Sequence, residues 1–153
     1  MSKKLKADGN FIPCRVDEGD ELFQNGIFEF NVTRILEHIA KHPKDIPLVE
    51  VDVNDFFQEH SMLNQSHVDS VDPSRPVVLA EISPGIFNLI DGHHRMEKAR
   101  RLGIAKIRAY KLQARQHVTF LTSQKAYLSY VEYWNNKLKD NQSIAQRHSR
   151  PRG

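Results

Sequence analysis

Cysteine, long apolar runs and net charge are all scarce in this chain. Cys14 is the only cysteine, so no internal disulfide can form and a reducing, cytoplasmic setting is expected. No apolar run approaches the roughly 20 residues that a membrane-spanning helix needs, and no membrane partner is expected. The first residues carry Lys3, Lys4 and Lys6 with no apolar core behind them, which is not the pattern of a signal peptide. The net charge is only +3, and its basic excess lies in the two tails, which says little for nucleic acid. No internal repeat is present.

What the chain does have is enough length and apolar content for a core. Its 153 residues, 39% apolar and 27% charged, fit one domain over 11–138. Residues 1–10 read as disordered and the basic 139–153 as a frayed tail. Charge is sorted along the chain. Asp45–Glu81 sets eight acids against Arg75, and Asp91–Arg115 sets eight Lys or Arg against Asp91 and Glu97. Either an anion-binding half lies beside an acidic one, or the two halves neutralise each other across the fold.

Residues 11–30 read as irregular structure or a short strand. Asn31 predicts an N-cap for a helix over Val32–Lys41, stopped by Pro43, with Ile35, Leu36 and Ile39 as its buried stripe. His38 and His42 have the i, i+4 spacing of metal ligands, but the zinc-protease Glu is missing beside His38 and no metal is assigned. Leu48–Val53 alternates as a half-exposed strand, and Asn54 or Asp55 caps a short helix through His60. Ser61–Arg75 reads as a polar surface loop. Val77–Ile82 and the run at Ile86–Ile90 form a hairpin about Pro84-Gly85, and Lys106–Leu112 is a further strand. From His117 to Leu138, apolar residues such as Leu121, Leu128 and Trp134 recur at helical spacing. They predict one long amphipathic helix, for packing or for a homodimer.

The stretch Phe87-Asn-Leu-Ile-Asp-Gly-His-His-Arg-Met-Glu-Lys-Ala-Arg-Arg-Leu-Gly103 reads as a buried strand, a tight turn and a helix closed by glycine. Asp91 can cap that helix, and Gly92 lets the backbone turn sharply. The helix's first N–H groups, with the positive end of the dipole behind them, then meet whatever occupies the corner. His93, His94 and Arg95 sit in the same turn, so an anion, above all a phosphate, is the expected guest.

Together with Arg75-Pro-Val-Val-Leu-Ala-Glu-Ile and Lys98-Ala-Arg-Arg-Leu-Gly-Ile-Ala-Lys-Ile-Arg-Ala-Tyr, the segment Asn88-Leu-Ile-Asp-Gly-His-His-Arg resembles the ParB/sulfiredoxin superfamily. The resemblance covers about 46–113. It implies an α+β fold: a small mixed sheet with flanking helices, here followed by the long C-terminal helix. Sulfiredoxin's turn holds a reactive cysteine where this chain has His93, which disfavours that activity. ParB partition proteins bind CTP and add a DNA-reading domain, for which no room follows Leu112. The turn is most similar to that of the free-serine kinase branch, where it contacts nucleotide phosphates. Some relatives are nucleases.

These readings converge on one candidate site. Gly92, His93, His94 and Arg95 are the expected phosphate or nucleotide contacts, Arg95 through its planar fork or, alternatively, as a surface residue paired with an acid. His93 and His94 are candidate catalytic groups, one of them structural. Asp91 caps the helix, orients a histidine or binds Mg²⁺. Glu59 is implied by the kinase resemblance as a general base, with His60 as the other counterpart. Arg100 and Arg101 read as a solvated helix face. The expected function is binding of a nucleotide (ATP/ADP or CTP, with Mg²⁺) or phosphate ester, with phosphoryl transfer or phosphodiester cleavage. The alternative is a non-catalytic DNA-binding or nucleotide-sensing accessory protein that uses the basic half and tails.

Overall fold

The structure, a computed structural model, describes residues 3–56 and 65–149. Its first regular element is a hairpin, where the sequence suggests irregular structure or a short strand. Strands β1 (Leu22–Asn25) and β2 (Phe28–Asn31) pair antiparallel around Gly26, whose φ of 66° suits a tight turn. Helix α1 (Val32–Lys41) follows directly, and the Asn31 side chain accepts from the Arg34 N–H at 3.2 Å as its N-cap. The buried stripe is Val32, Ile35 and Ile39, while Leu36 is exposed. Positions three and four apart share one face, and Leu36 lies about 100° round from Ile35.

Strand β3 (Leu48–Asp52) runs into a 3₁₀ turn at Val53–Phe56; the rest of the short helix expected through His60 lies outside the described residues. The polar stretch after it is not all loop. Gln65–Ser70 forms helix α2, anchored by the buried Val68. Lys98 Nζ secures its C-terminal end by donating to the carbonyls of Asp69 (2.7 Å) and Val71 (2.8 Å). One apolar residue and one distant lysine are too little signal for a sequence pattern to register.

Strands β4 (Val77–Ser83), β5 (Ile86–Asp91) and β6 (Lys106–Leu112), with helix α3 (His93–Arg101) between the last two, match the expected ranges closely. They complete a four-stranded mixed sheet in the order β3-β6-β4-β5. Only β4 and β6 run parallel, so α3 belongs to the crossover that joins them. Every residue of β4 is buried, because both faces of this central strand are covered. Val77 and Leu79 pack with Met96 and Ala99 of α3. Val78, Ala80 and Ile82 face a larger core that includes Phe30 and Ile35.

The single helix expected from His117 onward is broken in two. Helix α4 (Ala114–His117) and a 3₁₀ turn at Val118–Phe120 end at Leu121, which is extended and bridges to Phe30. Thr122 N–H donates to the Glu29 carbonyl at 3.0 Å, and Ser123 Oγ accepts from the Ala126 N–H at 3.0 Å. That serine starts α5 (Gln124–Ser149). The seven-residue gap from Leu121 to Leu128 imitates helical period across a break. The buried face of α5 is in fact Ala126, Tyr127, Tyr130, Val131 and Trp134, with Leu128 exposed. The helix also runs past Leu138 into the segment expected to be frayed.

Residues 3–10 are tied down rather than disordered. Leu5 and Asn135 exchange two hydrogen bonds of 2.9 Å, Trp134 Nε1 donates to the Lys3 carbonyl at 2.8 Å, and Asp8 N–H donates to the Tyr127 hydroxyl at 2.8 Å. Phe11 stacks on Tyr127 with ring centroids 3.9 Å apart. Beneath α5 a polar pair is fully enclosed. His117 Nε2 lies 2.6 Å from the Glu81 carbonyl, and the Tyr130 hydroxyl lies 2.8 Å from the carbonyls of both Glu81 and Ile82. Among the described residues no helix is long and apolar enough to cross a membrane.

Candidate functional site

The corner is made where β5 hands over to α3. Gly92 occupies the N-cap position with φ 98° and ψ 27°, a left-handed conformation that L side chains rarely adopt. Space forbids a side chain as well. A Cβ on Gly92 would lie 2.5 Å from Val77 Cγ1 and 2.9 Å from Arg95 Nη2. The glycine is required both by its backbone angle and by its neighbours.

Gly92 has no side chain to offer, and among the described residues none is seen to cap α3. Its first intrahelical bond is from Met96 N–H to the Gly92 carbonyl, 2.9 Å, so the amides of His94 and Arg95 precede the helical ladder. Helix α1 differs. Besides Asn31, the Glu21 carbonyl accepts from its Val32 N–H at 2.8 Å. Asp91, expected as the cap of α3, does not fill that role. It ends β5, paired with Val78 of β4, and its Oδ2 accepts from Arg95 Nη2 at 3.0 Å. The strand register turns this carboxylate along the helix flank, where i and i+4 meet.

Arg95 is correspondingly drawn inward. Nη2 also donates to the Pro76 carbonyl at 3.1 Å, and Nε is buried with no hydrogen-bond partner among the described residues. The partner of Arg95 is therefore the acid of its own turn, not one from the acidic Asp45–Glu81 segment. Its guanidinium, paired with the Asp91 carboxylate, lies beside the first turn of α3.

The two histidines diverge, as neighbours at a helix start must. His93 stacks on Phe23 of β1, with centroids 5.5 Å apart and planes 21° from parallel. His94 meets the ring of His67 from α2 nearly edge-on at 4.3 Å. Burial, and then the nearby His67 and Arg95, lower the His94 pKa below the ordinary histidine value. At neutral pH this imidazole is uncharged and able to take up a proton.

A cleft of about 490 Å³ opens on this corner. Asp91, Gly92, His93, His94 and Arg95 all border it, so the candidate residues of the turn come together in one place. The hairpin contributes Phe23, the residue before it Glu21, α1 contributes Leu36, and α2 contributes His67. Local pattern could not have found these four, since they reach the corner only through the tertiary fold. Glu59 and His60, the expected acid–base candidates, lie outside the described residues. Among the described residues no group of three or more His, Cys, Asp and Glu is placed to hold a metal ion. The His38 and His42 rings lie tilted to each other at 4.7 Å, with Phe120 edge-on to His38.

Arg100 and Arg101 are not simply a solvated face. Both donate to the carboxylate of Glu97, Arg101 Nε at 2.9 Å. The Arg100 guanidinium, with a further contribution from Arg101, holds the Glu97 carboxyl below the usual carboxylate range. A buried acid on α3 is made tolerable by two arginines on the next turn. Comparison of the chain with protein-family models, with curated proteins and with solved structures finds no match.

Proposed function

We propose that this chain binds the phosphate of a nucleotide or phosphate ester at the Asp91–Arg95 corner. The proposed chemistry is phosphoryl transfer or phosphodiester cleavage. The observation that carries the reading is the start of α3, which no side chain among the described residues is seen to cap. A helix whose first turn is hinged on an obligatory glycine opens onto a cleft of about 490 Å³. Amides at the positive end of a helix, with Arg95 beside them, suit an anion. Capping of α1 by Asn31 and Glu21 contrasts with α3, whose N-cap is a glycine with no side chain to offer.

The strand–turn–helix–strand order around Gly92 also supports a ParB/sulfiredoxin-like reading of the core. In that reading ATP, ADP or CTP is the ligand, and any Mg²⁺ arrives on its phosphates, because Asp91 already pairs with Arg95. His94, neutral and at the cleft, is the group suited to accept or return a proton during transfer.

Calorimetric titration of ATP, ADP and CTP with Mg²⁺ into the wild type, His94→Ala and Arg95→Ala tests this. Micromolar binding by the wild type, weakened at least about tenfold in both variants, is the expected result. No heat with any of the three nucleotides sinks the proposal. Binding to DNA alone, falling steeply with salt, places the chain in the non-catalytic class instead.

A further inference from the structure

We infer that the corner takes a phosphorylated small molecule of about mononucleotide size and excludes a nucleic-acid strand; this rests on phosphate binding at the corner. Size is the first ground. A cleft of about 490 Å³ lies within the range of small-molecule sites, and it is walled on more than one side. Phe23 of the hairpin covers His93, and His67 of α2 stands against His94.

Lining chemistry is the second ground. Leu22, Phe23, Val32, Leu36 and Val71 give the cleft an apolar side, and they include the otherwise unexplained exposed Leu36. Glu21, just before the hairpin and held through its backbone carbonyl by Val32 N–H, brings a carboxylate to the lining. One phosphate at the helix start, an apolar ring or chain along the wall and a hydroxyl toward Glu21 would satisfy every part of this lining. A continuing strand would add a negative charge about every 3.4 Å, with Glu21 opposing it.

The third ground is what became of the basic half. Arg100 and Arg101 pair with Glu97, and Lys106 with Asp52 at 3.6 Å. Lys98 is held by carbonyls at the end of α2, and Arg108 Nη2 by the Ser74 carbonyl at 2.9 Å. A strand of nucleic acid needs a track of cations to neutralise its phosphates, and these five, all outside the turn itself, already have partners within the fold.

Phe23 is, on this view, a positioning residue that fixes the His93 ring and closes the cleft. The test compares AMP, CMP and ADP with an eight-nucleotide single strand, each titrated into the full chain in Mg²⁺. Mononucleotides are expected to bind at least about tenfold more tightly. Phe23→Ala should weaken them about tenfold and shift the ring proton resonances of His93, which lose the stacked ring, while Phe23→Tyr restores both. Circular dichroism checks that each variant is folded. An octamer that binds as tightly as a mononucleotide overturns the inference and leaves phosphate binding intact. So does a folded Phe23→Ala protein with unchanged affinity. If no phosphorylated compound binds at all, the phosphate site itself fails.

Discussion

Asp91 Oδ2 and Arg95 Nη2, four residues apart, meet at 3.0 Å across the start of α3, with side chains only 14% and 18% exposed. The last residue of a strand thereby holds the first turn of the helix it leads into. Both groups are largely out of water, so removing either leaves the other poorly solvated. We expect Asp91→Ala and Arg95→Ala each to cost about 1–3 kcal/mol. The double variant should cost less than their sum, a coupling that a denaturant-unfolding cycle measures. Strict additivity would mean that the pair contributes nothing to the turn.

Gly92→Ala should be among the most damaging single substitutions. The left-handed backbone and the 2.5 Å approach to Val77 Cγ1 act together, and we expect a loss of roughly 2–5 kcal/mol. Gly9→Ala, where a Cβ meets nothing within 4 Å, is the control and should change the melting temperature little.

The buried His117 predicts a pH dependence of stability. Its Nε2 must carry the proton, because the Glu81 carbonyl only accepts, and Nδ1 has no partner among the described residues. Burial pushes its pKa down to about 4, against about 6.5 unfolded. A depressed histidine pKa means that the unfolded chain takes up the proton first. Its contribution is therefore complete above about pH 6.5 and falls away as pH drops toward 4, by up to about 3 kcal/mol. Chemical denaturation at pH 7.5, 6 and 5 should follow that slope, and His117→Phe should flatten it.

Lys98 predicts a local effect. Its ammonium is the clasp between α3 and the end of α2, and α2 supplies the His67 wall of the cleft. Lys98→Met should leave global stability within about 1 kcal/mol while speeding amide exchange at residues 65–71. Nucleotide affinity should fall with it. Unchanged exchange would mean that Val68 alone secures the helix.

The legible part of this fold was the part whose signals are local. Alternation in Leu48–Asp52 and Lys106–Leu112, the Pro84-Gly85 turn and the Asn31 cap each involve residues a few positions apart, and those elements stand where expected. The turn at Gly92 is legible because a glycine between an apolar run and a helical one has few other uses. What was not legible depends on distant partners. The break at Leu121 exists because Phe30, some ninety positions earlier, offers a β-bridge. Helix α2 needs Lys98, and Asp91 leaves its capping role for an arginine that the fold draws inward. The candidate site divides in the same way: its floor is one continuous stretch, and its walls come from three others.

The seam between residues 3–11 and α5 has a consequence for how the molecule is assembled and taken apart. Leu5 and Asn135 hydrogen-bond across a separation of 130 positions, and closing so wide a loop gains nothing until both partners are in place. The arm is therefore a late arrival in folding and an early departure under stress. It is also the lid over Trp134 and Tyr127. Cutting within the arm would wet the aromatic side of α5 before the sheet begins to loosen, so limited proteolysis there should appear first as a rise in tryptophan exposure.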